Sequence, residues 1–174
     1  HIIEFNDAFN TVRESGDHGP FNSWGRDRFW QTKHNGAANE ETSEQTKQRA
    51  LLDCYKTVHI RNNRFSHSVD GHSWGIDLDD GTSNYHVYNN LCLGMGIKFR
   101  EGFFRKAENN IIINGFGGFH VWFPGCDDII RNNIWVSDKP FQFIRANPKF
   151  AKEIDYNLFY NPHGNSLFTG VSEA

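Results

Sequence analysis

A pair of adjacent asparagines recurs along this chain and constrains its fold more than any other feature. Apolar residues alternate with polar ones on both sides of each pair, as in "DIIRNNIWV". Asn tolerates the left-handed backbone of a sharp corner, so each unit predicts a strand, a corner and a second strand. The second Asn of the unit stands at positions 63, 90, 110, 133 and 157, and the last unit has Tyr in place of the first Asn. Spacings of 20–27 residues are typical of a solenoid.

The repeat predicts an all-β, right-handed parallel β-helix in which the asparagines stack as a hydrogen-bonded ladder. Leucine-rich repeats have a similar period, but their Leu-rich consensus is absent here. Residues 1–174 are expected to form a single domain of this kind. A polar stretch at about 30–52 lacks apolar periodicity, and we expect it to leave the coil as an insertion near the rim of the acidic face described below.

Each coil is expected to carry another strand some 13–15 residues before its Asn pair, in "GIDLDD", "GIKFRE", "FHVWF" and "FQFIR". Strand side chains alternate between the two faces of a sheet. This alternation predicts the following inward side chains: Ile76, Leu78, Ile97, Phe99, Val121, Phe123, Phe141 and Phe143. It predicts the following outward side chains: Asp77, Asp79, Lys98, Arg100, His120, Trp122 and Gln142.

The motif Ser-Trp-Gly-x-Asp occurs twice, and its two Asp residues, Asp27 and Asp77, are fifty positions apart. Fifty residues correspond to one coil plus the insertion, so the two carboxylates are expected on neighbouring rungs, about 4.8 Å apart. Like charges at that spacing are destabilising. Crowding of Asp27 and Asp77 with Asp79 and Glu101 predicts a site in which one carboxyl keeps its proton at neutral pH. A neutral acid beside an ionised one is what glycoside cleavage requires.

Aromatic and charged residues surround these acids in the predicted register. A pyranose presents C–H groups on its faces and hydroxyls at its edge, so such surroundings favour a sugar. The candidate substrate-binding residues are His18, Trp24, Trp74, Asp80, Lys98, Arg100, His120 and Trp122. Two alternatives stay open: the charges form a salt-bridged, solvated sheet face, and Trp24 and Trp74 pack at corners.

Three segments, "DHGPFNSWGRDRFW", "GIDLDDGTSNYHVYNNLCL" and "GIKFREGF", resemble the central coils of bacterial right-handed parallel β-helix carbohydrate-active proteins of the pectate-lyase-like superfamily. The similarity covers most of residues 16–136. It is nearest to the β-helix glycoside hydrolases around family 141, with family 120 more distant. Members of these families are usually several times longer, so this chain is expected to be a fragment or a truncated member.

The resemblance implies secreted or periplasmic degradation of plant cell-wall glycans, with fucosidase-, xylosidase- or xylanase-like activity. The catalytic positions that it implies are Asp77 or Asp79, with Asp27 or Glu101 as the partner. A hydrolase of this kind is expected to act on a polysaccharide or oligosaccharide and to need no metal or other cofactor.

Two other functions fit the same residues. A polysaccharide lyase would use the acids to hold Ca²⁺, and Lys98 or Arg100 would remove the proton beside a uronate carboxylate. A non-catalytic glycan-binding or structural β-helix would bind without turnover.

Charge and cysteine content exclude several other classes of function. The net charge of −3 offers no large basic surface to nucleic acid, and no apolar run approaches the roughly 20 residues of a membrane span. Neither nucleic acid nor a membrane is therefore an expected partner. Cys54, Cys92 and Cys126 are too few for a disulfide framework and too widely spaced for a zinc site, so at least two of them are expected to be buried thiols.

Overall fold

The structure, a computed structural model, describes residues 1–15, 17–24, 43–68, 74–138, 140–144 and 146–164, and the backbone alone of 40–42 and 168–169. In this part of the chain the strands are short, and every pairing between them is parallel. Consecutive strands belong to sheet A, then sheet B, then sheet C, and the same order recurs in each coil. The chain therefore forms the parallel β-solenoid that its repeat predicts.

Each sheet, over the described residues, contains one strand from every coil. Sheet A comprises β1 (Ile2–Glu4), β4 (Val58–Arg61), β7 (Tyr85–Tyr88), β10 (Lys106–Glu108), β13 (Ile129–Arg131) and β16 (Glu153–Asp155). Sheet B comprises β2 (Asp7–Phe9), β5 (Arg64–Ser66), β8 (Leu91–Leu93), β11 (Ile111–Ile113), β14 (Ile134–Val136) and β17 (Leu158–Tyr160). Sheet C comprises β3 (Phe21–Ser23), β6 (Trp74–Leu78), β9 (Gly96–Phe99), β12 (Gly117–His120), β15 (Phe141–Ile144) and β18 (Phe168–Thr169).

The corner between sheets A and B contains the Asn pairs. The first residue of each pair has a positive φ, between 54° and 56° at Asn62, Asn89, Asn109 and Asn132. The second residue faces inward and bonds to its equivalents in adjacent coils, which confirms the predicted ladder. The ladder runs through Asn6, Asn63, Asn90, Asn110, Asn133 and Asn157.

The core consists of inward-facing side chains that stack from coil to coil. The predicted inward residues of β6 and β9, which are Ile76, Leu78, Ile97 and Phe99, are all at most 1% exposed. Burial of such side chains stabilises the fold by about 1.5–3 kcal/mol each. The interior also encloses the free thiols of Cys92 and Cys126, as predicted.

The predicted register of "FHVWF" is wrong. The strand there is Gly117–His120, and its inward residue is Phe119, which pairs with Phe99 and Phe143. Val121 follows the strand with a φ of 48°, and Trp122 is only 3% exposed rather than outward. Gly117 and Gly118 have no side chain to mark the inner or outer face, so the sequence does not show the alternation of this strand. The Trp74 ring fills the space over Gly118, where an added Cβ would lie only 2.3 Å from it.

The insertion contains helix α1 (Glu40–Asp53), so these residues are not a coil strand. The helix lies against turns that lead from sheet C to sheet A. Lys47 Nζ is 2.6 Å from Asp127 Oδ2 and 4.7 Å from the centre of the Phe104 ring. Among the described residues, the helices fall short of the length and apolar character of a membrane span.

Candidate functional site

One row of side chains on the outer face of sheet C carries the acids singled out in the sequence. Cα pairing places Asn22 opposite Asp77, and Asp77 opposite Lys98. The described residue that pairs with Asp77 on the preceding rung is thus Asn22. Asp27 itself lies outside the described residues. Among the described residues, an amide on one rung and an ammonium on the next therefore flank Asp77.

Asp77 and Lys98 form a buried ion pair, with side chains that are 0% and 3% exposed. Asp77 Oδ2 accepts a hydrogen bond of 3.0 Å from Asn22 Nδ2. Lys98 Nζ lies 3.0 Å from Asp77 Oδ1, without the angle of a hydrogen bond, and 3.3 Å from Asp79 Oδ1. Burial raises the pKa of Asp77 to about 6, although the Lys98 charge opposes this rise.

Arg100 contacts three carboxyl groups at once. Its Nη1 lies 3.4 Å from Asp79 Oδ1, and its Nε lies 2.8 Å from Asp80 Oδ1 and 2.9 Å from Glu101 Oε2. The pKa of Glu101 is raised to about 7, chiefly by burial and to a smaller extent by a hydrogen bond with Asp80, against the opposing charge of Arg100. Asp80 and Glu101 therefore form a carboxyl pair that retains a proton near neutral pH.

A second buried ion pair holds the turn that carries Arg100 and Glu101. Arg105 and Asp128 are both 0% exposed, with Arg105 Nη2 at 2.6 Å from Asp128 Oδ2. Arg105 Nη1 also donates to the carbonyl of Arg100. Gly102 lies so close to the preceding coil that a Cβ there would be 2.2 Å from the carbonyl oxygen of Thr82. These contacts fix the backbone on both sides of Glu101.

Trp74 and His120 lie at the acidic site, whereas Trp122 lies in the core. Trp74 is 6% exposed and lies across Gly118, with its ring 5.8 Å from that of His120 and 5.5 Å from Lys98 Nζ. It therefore forms part of the floor of the site. Burial lowers the pKa of His120 to about 4, so this imidazole is neutral at pH 7. Trp122 packs in the core against Phe119 and does not join the site.

The solvent-facing rim of the site consists of fewer residues. Trp24 is 56% exposed, and His18 is exposed with its Nδ1 3.4 Å from Asn22 Nδ2. Of the charged cluster, Arg100 and Asp79 reach solvent most, with side chains 38% and 13% exposed. A ligand that approaches this face would meet these four side chains first.

Helix α1 lies beside this site. Ala50 and Asp53 of the helix line a cleft together with Trp24 and the turn of Gly81 and Thr82, which directly follows Asp80. The inserted segment thus borders the acidic face through its described part.

Sequence reasoning missed Asn22, Arg105 and Asp128. No constant spacing identifies Asn22: it follows the ladder residue Asn6 by 16 residues, whereas Asp77 follows Asn63 by 14 and Lys98 follows Asn90 by 8. No sequence pattern identifies Arg105 and Asp128, which are 23 residues apart and meet only through coil stacking.

The site combines a proton-holding carboxyl pair with ionised partners, and this arrangement suits acid–base chemistry. Within the described ranges, no group of three or more His, Cys, Asp or Glu side chains converges as a metal site would. No protein-family model, curated protein or solved structure matches the chain.

Proposed function

We propose that this β-solenoid cleaves glycosidic bonds in a polysaccharide or oligosaccharide, at the outer face of sheet C. The observation that carries the proposal is the placement of two kinds of carboxyl around one guanidinium. Glu101 has a pKa of about 7 and contacts Arg100 at 2.9 Å, while Asp79 contacts the same guanidinium at 3.4 Å and the Lys98 ammonium at 3.3 Å. A protonated acid beside an ionised carboxylate is the pair that glycosidases use.

In this proposal Glu101 donates its proton to the leaving oxygen as the C–O bond breaks. Asp79 either attacks the anomeric carbon or removes a proton from the attacking water, and water supplies the new hydroxyl. Both carboxyls contact one guanidinium, and their separation would decide the stereochemical outcome, about 5–5.5 Å for retention or about 6.5–9.5 Å for inversion. Asp77 positions Lys98, which in turn contacts Asp79.

The remaining candidates bind the sugar in this proposal. Trp24 offers an exposed ring, Trp74 forms the floor, and His18 and His120 provide hydrogen-bonding groups. Asp27 stays a candidate partner, outside the described residues. The resemblance noted above supports plant cell-wall glycans as the substrate and a secreted or periplasmic, bacterial setting.

The test compares Glu101→Gln and Asp79→Asn with the wild-type chain on xylan and on aryl xylosides and fucosides. Each substitution keeps the side-chain shape and removes one acid–base function, so turnover should fall by about 10²–10⁴-fold. Asp138→Asn is the matched control, since its side chain is 60% exposed and lies on another part of the coil. Circular dichroism would check that every variant folds.

Other outcomes would overturn the proposal in favour of a named alternative. Calcium-dependent release of unsaturated, ultraviolet-absorbing products would identify a lyase. Glycan binding without turnover, unchanged in Asp79→Asn, would identify a binding or structural β-helix.

A further inference from the structure

The outer face of sheet B is apolar over four successive rungs. In β8, β11, β14 and β17 the middle residue faces the core, and the first and third residues point outward. All eight outward side chains are Leu, Ile, Val or Tyr, and parallel pairing stacks them in two columns along the solenoid. Ile111, Ile134, Leu158 and Tyr160 are 40%, 36%, 59% and 59% exposed. A contiguous exposed apolar patch of this kind marks an interaction surface.

The outer faces of the other two sheets are charged. Sheet A carries ion pairs such as that of Arg61 with Glu4, and sheet C carries the acidic site. On the described strands of sheet B, charged side chains point outward at one end only, where Arg64 of β5 pairs with Asp7 of β2. The four apolar rungs therefore present no charge to a partner, and the surface that fits them is apolar as well.

The regular shape of this face selects a second copy of the chain as that partner. The inner strands of sheet B already pair on both sides, so a partner must pack on the face rather than add a strand between them. Rungs lie about 4.8 Å apart, so the outward side chains form ridges with this spacing. Sheet B of another copy has ridges of the same spacing, and two such sheets can pack face to face at about 10 Å.

The size of the face is sufficient for a reversible dimer. Six rungs at about 4.8 Å, and about six residues per rung at about 3.3 Å, give a footprint of roughly 600 Å² per copy. Two copies would then bury roughly 1,200 Å², which is the lower end of the range for specific interfaces.

We propose that sheet B is the contact surface of a homodimer, in which the outer faces of sheet B of two copies pack on each other. A two-fold axis parallel to the solenoid axis sets each apolar rung against the same rung of the partner and leaves Arg64 and Asp7 at one end. With the rungs in reverse order, full overlap would bury this ion pair against the apolar rungs of the other copy, at a cost in desolvation. The inference goes beyond the proposed function and uses no residue of the acidic site.

Sedimentation velocity of the whole chain, from about 1 to about 300 µM, measures the association. We expect a monomer–dimer equilibrium with a dissociation constant of about 1–100 µM, in keeping with an interface of this size. Added salt should not weaken the dimer, because salt screens charge contacts and leaves apolar contacts intact.

Ile134→Lys should weaken the dimer by about 100-fold or more, because it places an unpaired charge at an apolar contact. Ile144→Lys is the matched control, since Ile144 is 44% exposed and lies on sheet C. Circular dichroism would check that both variants fold. Ile111→Glu tests the same face with the opposite charge, and it replaces Ile134→Lys if that variant does not fold.

The inference is overturned if the wild-type chain stays monomeric over this concentration range, or if the folded sheet B variants associate as the wild type does. Equal weakening by Ile144→Lys would also overturn it, as would a dimer that dissociates when salt is added. Growth into larger oligomers would contradict a two-fold contact, because such a contact closes at two copies.

Discussion

Two carboxyl groups of the acidic site are buried: Asp77 on the outer face of sheet C, and Glu101 in the turn after β9. The side chains of Asp77 and Glu101 are 0% and 6% exposed, and burial raises the pKa of each, to about 6 and about 7. Burial of a charge is costly even when a cation is adjacent. The fold thus keeps carboxyl groups with raised pKa values at the place where acid–base chemistry would use them.

The pKa of Glu101 makes a prediction about stability. The pKa of Glu101 in the folded state, about 7, lies above the ordinary value of 4.5. The stabilisation that the protonated Glu101 carboxyl gives to the folded state is therefore fully present below about pH 4.5 and is lost as the pH rises through about 7. Gln has no proton to lose, so Glu101→Gln avoids this loss of stability. The variant should therefore gain stability relative to the wild type between about pH 5 and about pH 8.

Urea unfolding at both pH values measures this difference. Glu44→Gln is the control, because its side chain is 58% exposed and its variant should follow the wild-type pH dependence. A constant offset between Glu101→Gln and wild type at both pH values would show that Glu101 titrates normally.

The element that defines the solenoid is the corner between sheets A and B. Its first residue needs a positive φ and its second needs an amide side chain, and the two requirements are independent. The terminal described coils demonstrate this, because Phe5 and Tyr156 have φ of 56° and 55° beside the ladder residues Asn6 and Asn157. The ladder amide is therefore present even where the corner residue is not Asn.

Asn110→Ala should destabilise the chain by roughly 2–4 kcal/mol. Asn110 is fully buried, accepts from the backbone and side chain of Asn90, and donates to Asn133 Oδ1 and the carbonyl of Val87, so its loss leaves buried polar groups without partners. Urea unfolding measures the loss. Asn6→Ala is the matched control at an exposed rung and should cost much less, and equal losses would show that ladder position is irrelevant.

At the scale of the whole molecule, the inserted segment connects coils that are distant in sequence. Asn6 and Asn63 are ladder neighbours although 57 residues separate them, whereas the next step of the ladder spans 27. Helix α1, within this long first coil, reaches Asp127 some 80 residues further along the chain through Lys47. The helix therefore borders the acidic site, and its Leu51 also lines a cleft over the outer face of sheet A.

Lys47→Ala should loosen helix α1 without unfolding the solenoid. The substitution removes the contact with Asp127 and the cation–π contact with Phe104, together worth about 1 kcal/mol. Hydrogen exchange should show about fivefold less protection in residues 40–53 and unchanged protection in strands β7 and β10. Gln48→Ala is the control, as Gln48 bonds to Glu44 of the same helix and to no other described residue. Equal protection in both variants would show that Lys47 does not hold the helix.

The sequence by itself determined the fold class, the corners and most of the core. Local requirements explain this success: a left-handed corner favours Asn, and strict alternation identifies inward residues such as Ile76, Leu78, Ile97 and Phe99. These rules operate within a few residues, so the sequence contains all that they need. The same alternation also predicts that Asp77, Asp79, Lys98 and Arg100 share one face.

Only the tertiary structure decided which residues are neighbours across coils. The first coil contains the insertion, and a repeat of five letters could not reveal that the offset to Asp77 is 55 residues from Asn22 rather than 50 from Asp27. Likewise, Trp122 lies in the core because the strand ends at His120, so Trp122 belongs to the following turn and not to the alternation of the strand. Stacking register depends on the length of every intervening turn and on contacts between coils, and neither quantity is encoded in a local pattern.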